Sequence, residues 1–292
     1  MRITNSLLSK EALSGFQAQM KALDQARQEA STGIRVSRPS ADPVAVAGIM
    51  QSSSGLNALE QYQKNLGTAK SRLDVEDSAL SQLTDVLSRA KELAVSQAGD
   101  TASAATRKTA AAEVSQILDF VASLGNTQLA GSYVFGGHYA GSPPFVGGAL
   151  NADDPPEGEF SVEIGTNQTV ATNHSAQEVF GDSGATDALQ QLADSLNAND
   201  ASGIQGSMAR LDDAFASVQN LVGELGARMN RLDVAGNNLD SLKVNLQTFR
   251  SGLQDADLTE AVTKLVERQN ALQAAMAANS KILNLTLADY LR

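Results

Sequence analysis

The sequence predicts a mainly α fold: long antiparallel helical rods in a coiled-coil bundle, with paired terminal helices and a small β-rich central insertion. Three observations carry this. Apolar residues recur at alternating steps of three and four along two long stretches, which is the seam pattern of packed helices. All six prolines fall in one short loop (Pro39, Pro43) and one central segment (Pro143, Pro144, Pro155, Pro156), so no obligatory helix breaker interrupts the remainder. The centre alone combines Gly, Pro, Asn and Thr with short alternating runs.

Taken in order, the first helix carries Leu13, Phe16, Met20, Leu23 and Ala30 on one stripe. After the loop, Asp42 is placed to cap the next helix and Pro43 suits its first turn. The first rod, about 44–97, has Leu59, Leu66, Leu73, Leu80 and Leu87 every seven residues, with Tyr62, Ala69, Leu83 and Ala90 filling the seam. Glu76 falls on that seam and reads as an imperfection at the edge of the packing. A third helix, about 104–129, places Ala110, Val114, Ile117, Val121 and Leu124 on one face. The centre, 131–182, holds alternating runs at 160–164 and 169–172 and neither Lys nor Arg, so it reads as an exposed acidic β insertion. A short helix at 187–197 precedes the second rod, whose ladder runs Ile204, Met208, Leu211, Phe215, Val218, Val222, Leu225, Met229, Leu232, Leu239 and Leu246. About 45 such residues make a rod roughly 70 Å long.

The last helix carries Leu258, Val262, Leu265, Leu272, Met276 and Leu283, and Asp257 with Glu260 resembles a capping box at its start. Neither terminal stripe is wide enough to stabilise an isolated helix in water. Each needs a partner, which brings the two ends of the chain together. The expected assembly interface is therefore Leu13, Phe16, Met20, Leu23, Leu258, Val262, Leu265, Leu272, Met276 and Leu283. Three domains follow: 1–42 with 256–292 (paired ends), 43–130 with 183–255 (rods), and 131–182 (outer insertion).

Composition narrows function. The net charge of −11 argues against nucleic acid, whose binding depends on neutralising phosphates. No apolar run approaches the roughly 20 residues of a membrane span, and no cleaved signal peptide is visible at the amino end. The absence of Cys removes disulfides, thiolate zinc sites and thiol nucleophiles. The two histidines, His138 and His174, lie in the loop-rich centre and read as solvent-exposed turn residues. Asp153, Asp154, Glu157 and Glu159 lack the ligand spacing of a calcium loop. No catalytic, cofactor or metal site is expected; the chain reads as a non-enzyme.

Two segments carry a family resemblance. Residues 28–43, Gln-Glu-Ala-Ser-Thr-Gly-Ile-Arg-Val-Ser-Arg-Pro-Ser-Ala-Asp-Pro, and the carboxyl end from Asp257 through Gln269 and Gln273 to Arg292 resemble the bacterial flagellin superfamily. The opening Met1-Arg2-Ile3, the proline on both sides of Ser40-Ala41-Asp42, and Tyr133-Val134-Phe135-Gly136-Gly137 are similar to its hook–filament junction branch. The resemblance implies a structural subunit of the flagellum, exported without a cleaved leader and assembled outside the cell. Its implied partners are copies of itself, another hook-associated protein on the hook side, flagellin on the filament side and a type III export chaperone. The alternatives are a short flagellin and a cytoplasmic coiled-coil regulatory protein.

Overall fold

Six helices account for most of the chain: α1 (Arg2–Thr32), α2 (Pro43–Gln97), α3 (Ala104–Gly125), α4 (Ala185–Asn197), α5 (Ala201–Gln254) and α6 (Leu258–Tyr290). The structure, a computed structural model, describes the backbone at residues 2–99 and 102–290, and side chains over 10–99 and 102–278 with Leu7 and Ser280 besides. Two compact units divide it, residues 1–57 with 242–292 and residues 58–241, and both α2 and α5 contribute to each.

Within the 58–241 unit, the heptad residues do what their spacing requires. Leu73, Leu80, Leu83, Leu87 and Ala90 of α2 are buried, as are Ile204, Leu211, Val218, Leu225 and Leu232 of α5. Met208, Phe215, Val222 and Met229, the alternate seam positions of α5, pack half-buried against the same core. Side-chain bonds set the register: Gln63 to Asp240, Lys70 to Asp233, and Lys91 to Asp212. Partners advance along one helix as they retreat along the other, so α2 and α5 run antiparallel with no slip between these pairs. The five predicted seam residues of α3 are all buried, and α3 packs on α4. Arg107 of α3, also buried, donates to the carbonyls of Gln97, Gly99 and Asn199 and to Asn199 Oδ1, tying the start of α3 to the end of α2 and the loop before α5.

Helix α3 ends at Gly125, earlier than its apolar face predicts. Asn126 leaves the helix because its amide is engaged by Phe145, accepting from the Phe145 N–H and donating to the Phe145 carbonyl. Residues 128–129 then open the insertion as β1 (Gln128–Leu129), which pairs with β2 (Ser132–Tyr133). β3 (Phe145–Val146) pairs with β4 (Ala149–Leu150), and β5 (Ser161–Gly165) with β6 (Gln168–Ala171), all antiparallel. These hairpins close over Phe135, Phe145 and Phe180, whose rings meet edge to face at 5.4 Å. Gly137 permits the tight packing: its φ is +55°, and a Cβ there would lie 2.0 Å from the Glu157 carbonyl oxygen. A π-helical turn, Gln177–Asp182, leads into α4.

Two expectations are corrected here. Glu76 is not at the edge of the packing but fully buried, and His174 is not an exposed turn residue but fully buried beside it. Each explains the other, since His174 Nδ1 lies 2.5 Å from Glu76 Oε1. The seam position tolerates a carboxylate because the insertion supplies it with a partner. His138 is exposed, as its turn predicts.

Candidate assembly surface

Within the unit formed by 1–57 and 242–292, the segment between α1 and α2 is built from its own sequence. Thr32 Oγ1 donates back to the Gln28 carbonyl, and the N–H of Gly33 to that of Glu29, closing α1. Gly33 takes φ +69°, the left-handed conformation that ends many helices. Its carbonyl then accepts from the Ala256 N–H, Ile34 bridges to Asp255, and the Arg35 N–H donates to the Gln254 carbonyl. The Arg35 guanidinium donates to the Leu253 carbonyl and stands 3.5 Å from Asp42. The Thr-Gly-Ile-Arg turn is thus stitched to the α5–α6 connection.

Asp42 caps α2 by accepting from the Ala45 N–H at 3.0 Å. That hydrogen bond, against some desolvation and with help from Arg35, holds its carboxyl below the usual carboxylate range. Asp257 caps the start of α6, accepting from the N–H groups of Thr259 and Glu260. Glu260 reaches forward to Lys264 at 2.8 Å. The neighbouring ends of α2 and α5 fit through glycines: a Cβ on Gly48 would come within 2.7 Å of Leu253, and one on Gly55 within 3.0 Å of Leu246.

These anchors bring the carboxyl end of α1 to the amino end of α6, and the two helices pack together. Their apolar residues divide into two sets. Phe16, Leu23, Leu265 and Leu272 are half-buried, whereas Leu13, Met20, Leu258, Val262 and Met276 stay exposed. The side chain of Leu283 lies outside the described residues. Among the described residues of α1 and α6 the buried positions are alanines, Ala26 and Ala261. Exposed apolar residues continue beyond the terminal helices: Val44 (84 %), Met50 (68 %), Val244 (59 %) and Phe249 (57 %). The unit therefore presents apolar surface that its own chain does not cover, a signature of a partner surface.

No cluster of three or more His, Asp or Glu able to hold a metal occurs among the described residues. Nor is any helix among them long and apolar enough to cross a membrane.

Comparison with known proteins agrees with this geometry. The bacterial flagellin N-terminal helical region matches residues 3–140 and the C-terminal helical region matches 208–291. Flagellar hook-associated protein 3 of Escherichia coli is 25 % identical over 98 % of both chains. A flagellin of Bacillus subtilis is 24 % identical over 95 % of this chain and 94 % of its own. Among solved structures, a putative flagellar hook-associated protein from Vibrio parahaemolyticus superposes with a TM-score of 0.67 at 21 % identity, over 74 % of this chain and all of that one.

Proposed function

Because the chain belongs to the bacterial flagellin family, carrying both of its terminal helical regions, we propose that it is the structural subunit joining the flagellar hook to the filament. The observation that carries the reading is the pair of terminal helices, locked together at the Gly33–Ala256 turn with apolar residues left facing outward. A side chain such as Val262 or Met276 gains by leaving water, about 25 cal/mol per Å² of apolar surface covered. Neighbouring subunits supply that cover. The end-to-end likeness to hook-associated protein 3, together with the Tyr133–Gly137 segment, favours the junction over the filament.

The subunit works outside the cell as a component of the flagellum, and its task is mechanical rather than catalytic. Copies of itself are its first partners, through Leu13, Phe16, Met20, Leu23, Leu258, Val262, Leu265, Leu272, Met276 and Leu283. Another hook-associated protein stands on the hook side and flagellin on the filament side. A type III export chaperone holds the subunit before export. Residues 1–42 with 256–292 form its inner layer, the rods the next, and 131–182 its outer surface.

A deletion strain tests the junction role. Hooks still form and flagellin is shed into the medium if the reading is right. Filaments of normal length on the deleted strain overturn it, and loss of hook-tipped filaments with the protein absent from purified wild-type flagella does so as well.

A further inference from the structure

The core of the 58–241 unit contains a titratable cluster that an assembly subunit does not need for packing. Residues 172–176, between β6 and the π-helical turn, are buried throughout and consist mostly of polar side chains. Helix α2 reaches them with Glu76, one turn after Arg72, and helix α5 with Glu224 and Arg228, also one turn apart. Arg228 donates to the Asn173 carbonyl and pairs with Glu159 at 2.6 Å. Arg72 donates to the carbonyls of Tyr133 and Val134 and lies over the Phe160 ring. Between the two helices sits His174, at 0 % exposure, with Glu76 at 0 %.

The imidazole faces a carboxylate on each side. Nδ1 lies 2.5 Å from Glu76 Oε1, which also accepts from the His174 backbone N–H at 3.1 Å. Nε2 lies 3.7 Å from Glu224 Oε2 and has no hydrogen-bond partner. A neutral ring can donate from one nitrogen only; the other would turn a lone pair toward a carboxylate. Only the imidazolium presents N–H to both. Charge balance agrees: with it, Arg72, His174 and Arg228 stand against Glu76, Glu159, Glu178 and Glu224. Without it, two guanidiniums face the same four carboxylates.

We infer that Glu76, His174 and Glu224 form a proton-operated latch, in which the imidazolium clasps the central insertion between α2 and α5. Burial works against the charge on His174, as does Arg228 to a lesser degree, but the bond and charge of Glu76 prevail and hold its pKa above the ordinary histidine value. The released segment has an ordinary histidine. Because the clasped value is the higher one, the clasp contributes fully at pH below the ordinary value. It weakens as pH rises through the clasped value, leaving Glu76 buried without its counter-charge. Raising pH therefore loosens the insertion while the apolar seam positions of α2 and α5, such as Leu73, Leu80, Leu225 and Leu232, which do not titrate, keep the rods packed.

Two histidines make the test direct, since only two ring signals have to be assigned. The full chain, with labelled histidine, is titrated by NMR from about pH 5 to about pH 9, and protease cleavage within 131–176 is timed over the same range. His174 is expected to titrate above its own value in the denaturant-unfolded chain, and cleavage to accelerate as it does so. Glu76→Gln, isosteric but uncharged, should bring His174 down and flatten the pH dependence of cleavage. Glu224→Gln, at an exposed side chain, should bring it down by less. The latch is overturned if His174 titrates in the folded chain at or below its value in the unfolded one. It is overturned equally if cleavage keeps its pH dependence in Glu76→Gln or, should that variant not fold, if Glu224→Gln leaves the titration of His174 unmoved.

Discussion

The two units use similar residues to opposite ends. In the 58–241 unit the large apolar side chains are spent inward: Leu73, Leu80, Leu83, Leu189, Leu192, Ile204, Leu211 and Leu225 are at most 1 % exposed. In the unit formed by 1–57 and 242–292, buried positions go mainly to small residues such as Ala26, Ala45, Ser52 and Ala261, while Leu13, Met50, Phe249 and Leu258 face solvent. The difference does not lie in helix propensity or length, since both units are built from long helices. It lies in whether the third and fourth residues of each turn find a partner inside the same chain. One unit is finished by folding; on the function proposed above, the other is finished by assembly.

The sharpest way to break that comparison is to put a charge on each kind of face. Val262→Asp should abolish incorporation into flagella, seen as loss of the protein from purified filaments and hooks. Its monomer should unfold within about 0.5 kcal/mol of the parent, as expected for a surface site. A monomer markedly destabilised by this change would mean that the terminal unit is already closed. Leu211→Ala supplies the converse. It should cost about 2 to 5 kcal/mol in denaturant unfolding, the range for deleting a buried leucine, and it should reduce assembly only as far as it reduces folded protein.

The smallest effect is expected at the Asp42 cap, where both units' logic is suspended and a single turn is at stake. Its lowered pKa means that the cap contributes at pH above the ordinary carboxylate value and fades as pH falls through the depressed one. The Ala45 amide signal should shift with that titration by NMR, and Asp42→Asn, which keeps a capping oxygen, should leave it flat.

Much of this was legible in the residues. Seven-residue spacing located α2 and α5 because a heptad seam is a local pattern repeated many times, and Asp42-Pro43 located the start of α2 to one residue. Longer-range relations were not legible. Nothing in the spacing of Glu76 links it to a histidine 98 positions away, so a charged seam residue and a turn histidine each read as surface when both are core. The two-residue strands β1 to β4 are too short to show alternation. At the terminal helices the large side chains mark the stripe, but its buried positions in α1 and α6 are the small Ala26 and Ala261, which a pattern of large apolar residues does not reveal.

The side-chain bonds between α2 and α5 have one further consequence. Gln63 holds Asp240 close to where residues 58 and 241 begin and end the larger unit. A stretch of chain that departs and returns at neighbouring points behaves as a cassette: a short linker could close it into a ring, or graft it onto another helical stem. Its reach is likewise a gauge that can be reset. Seven residues removed from α2 would have to be matched by seven from α5 to keep Lys70 opposite Asp233, and a change in one helix alone would throw every later pair out of step.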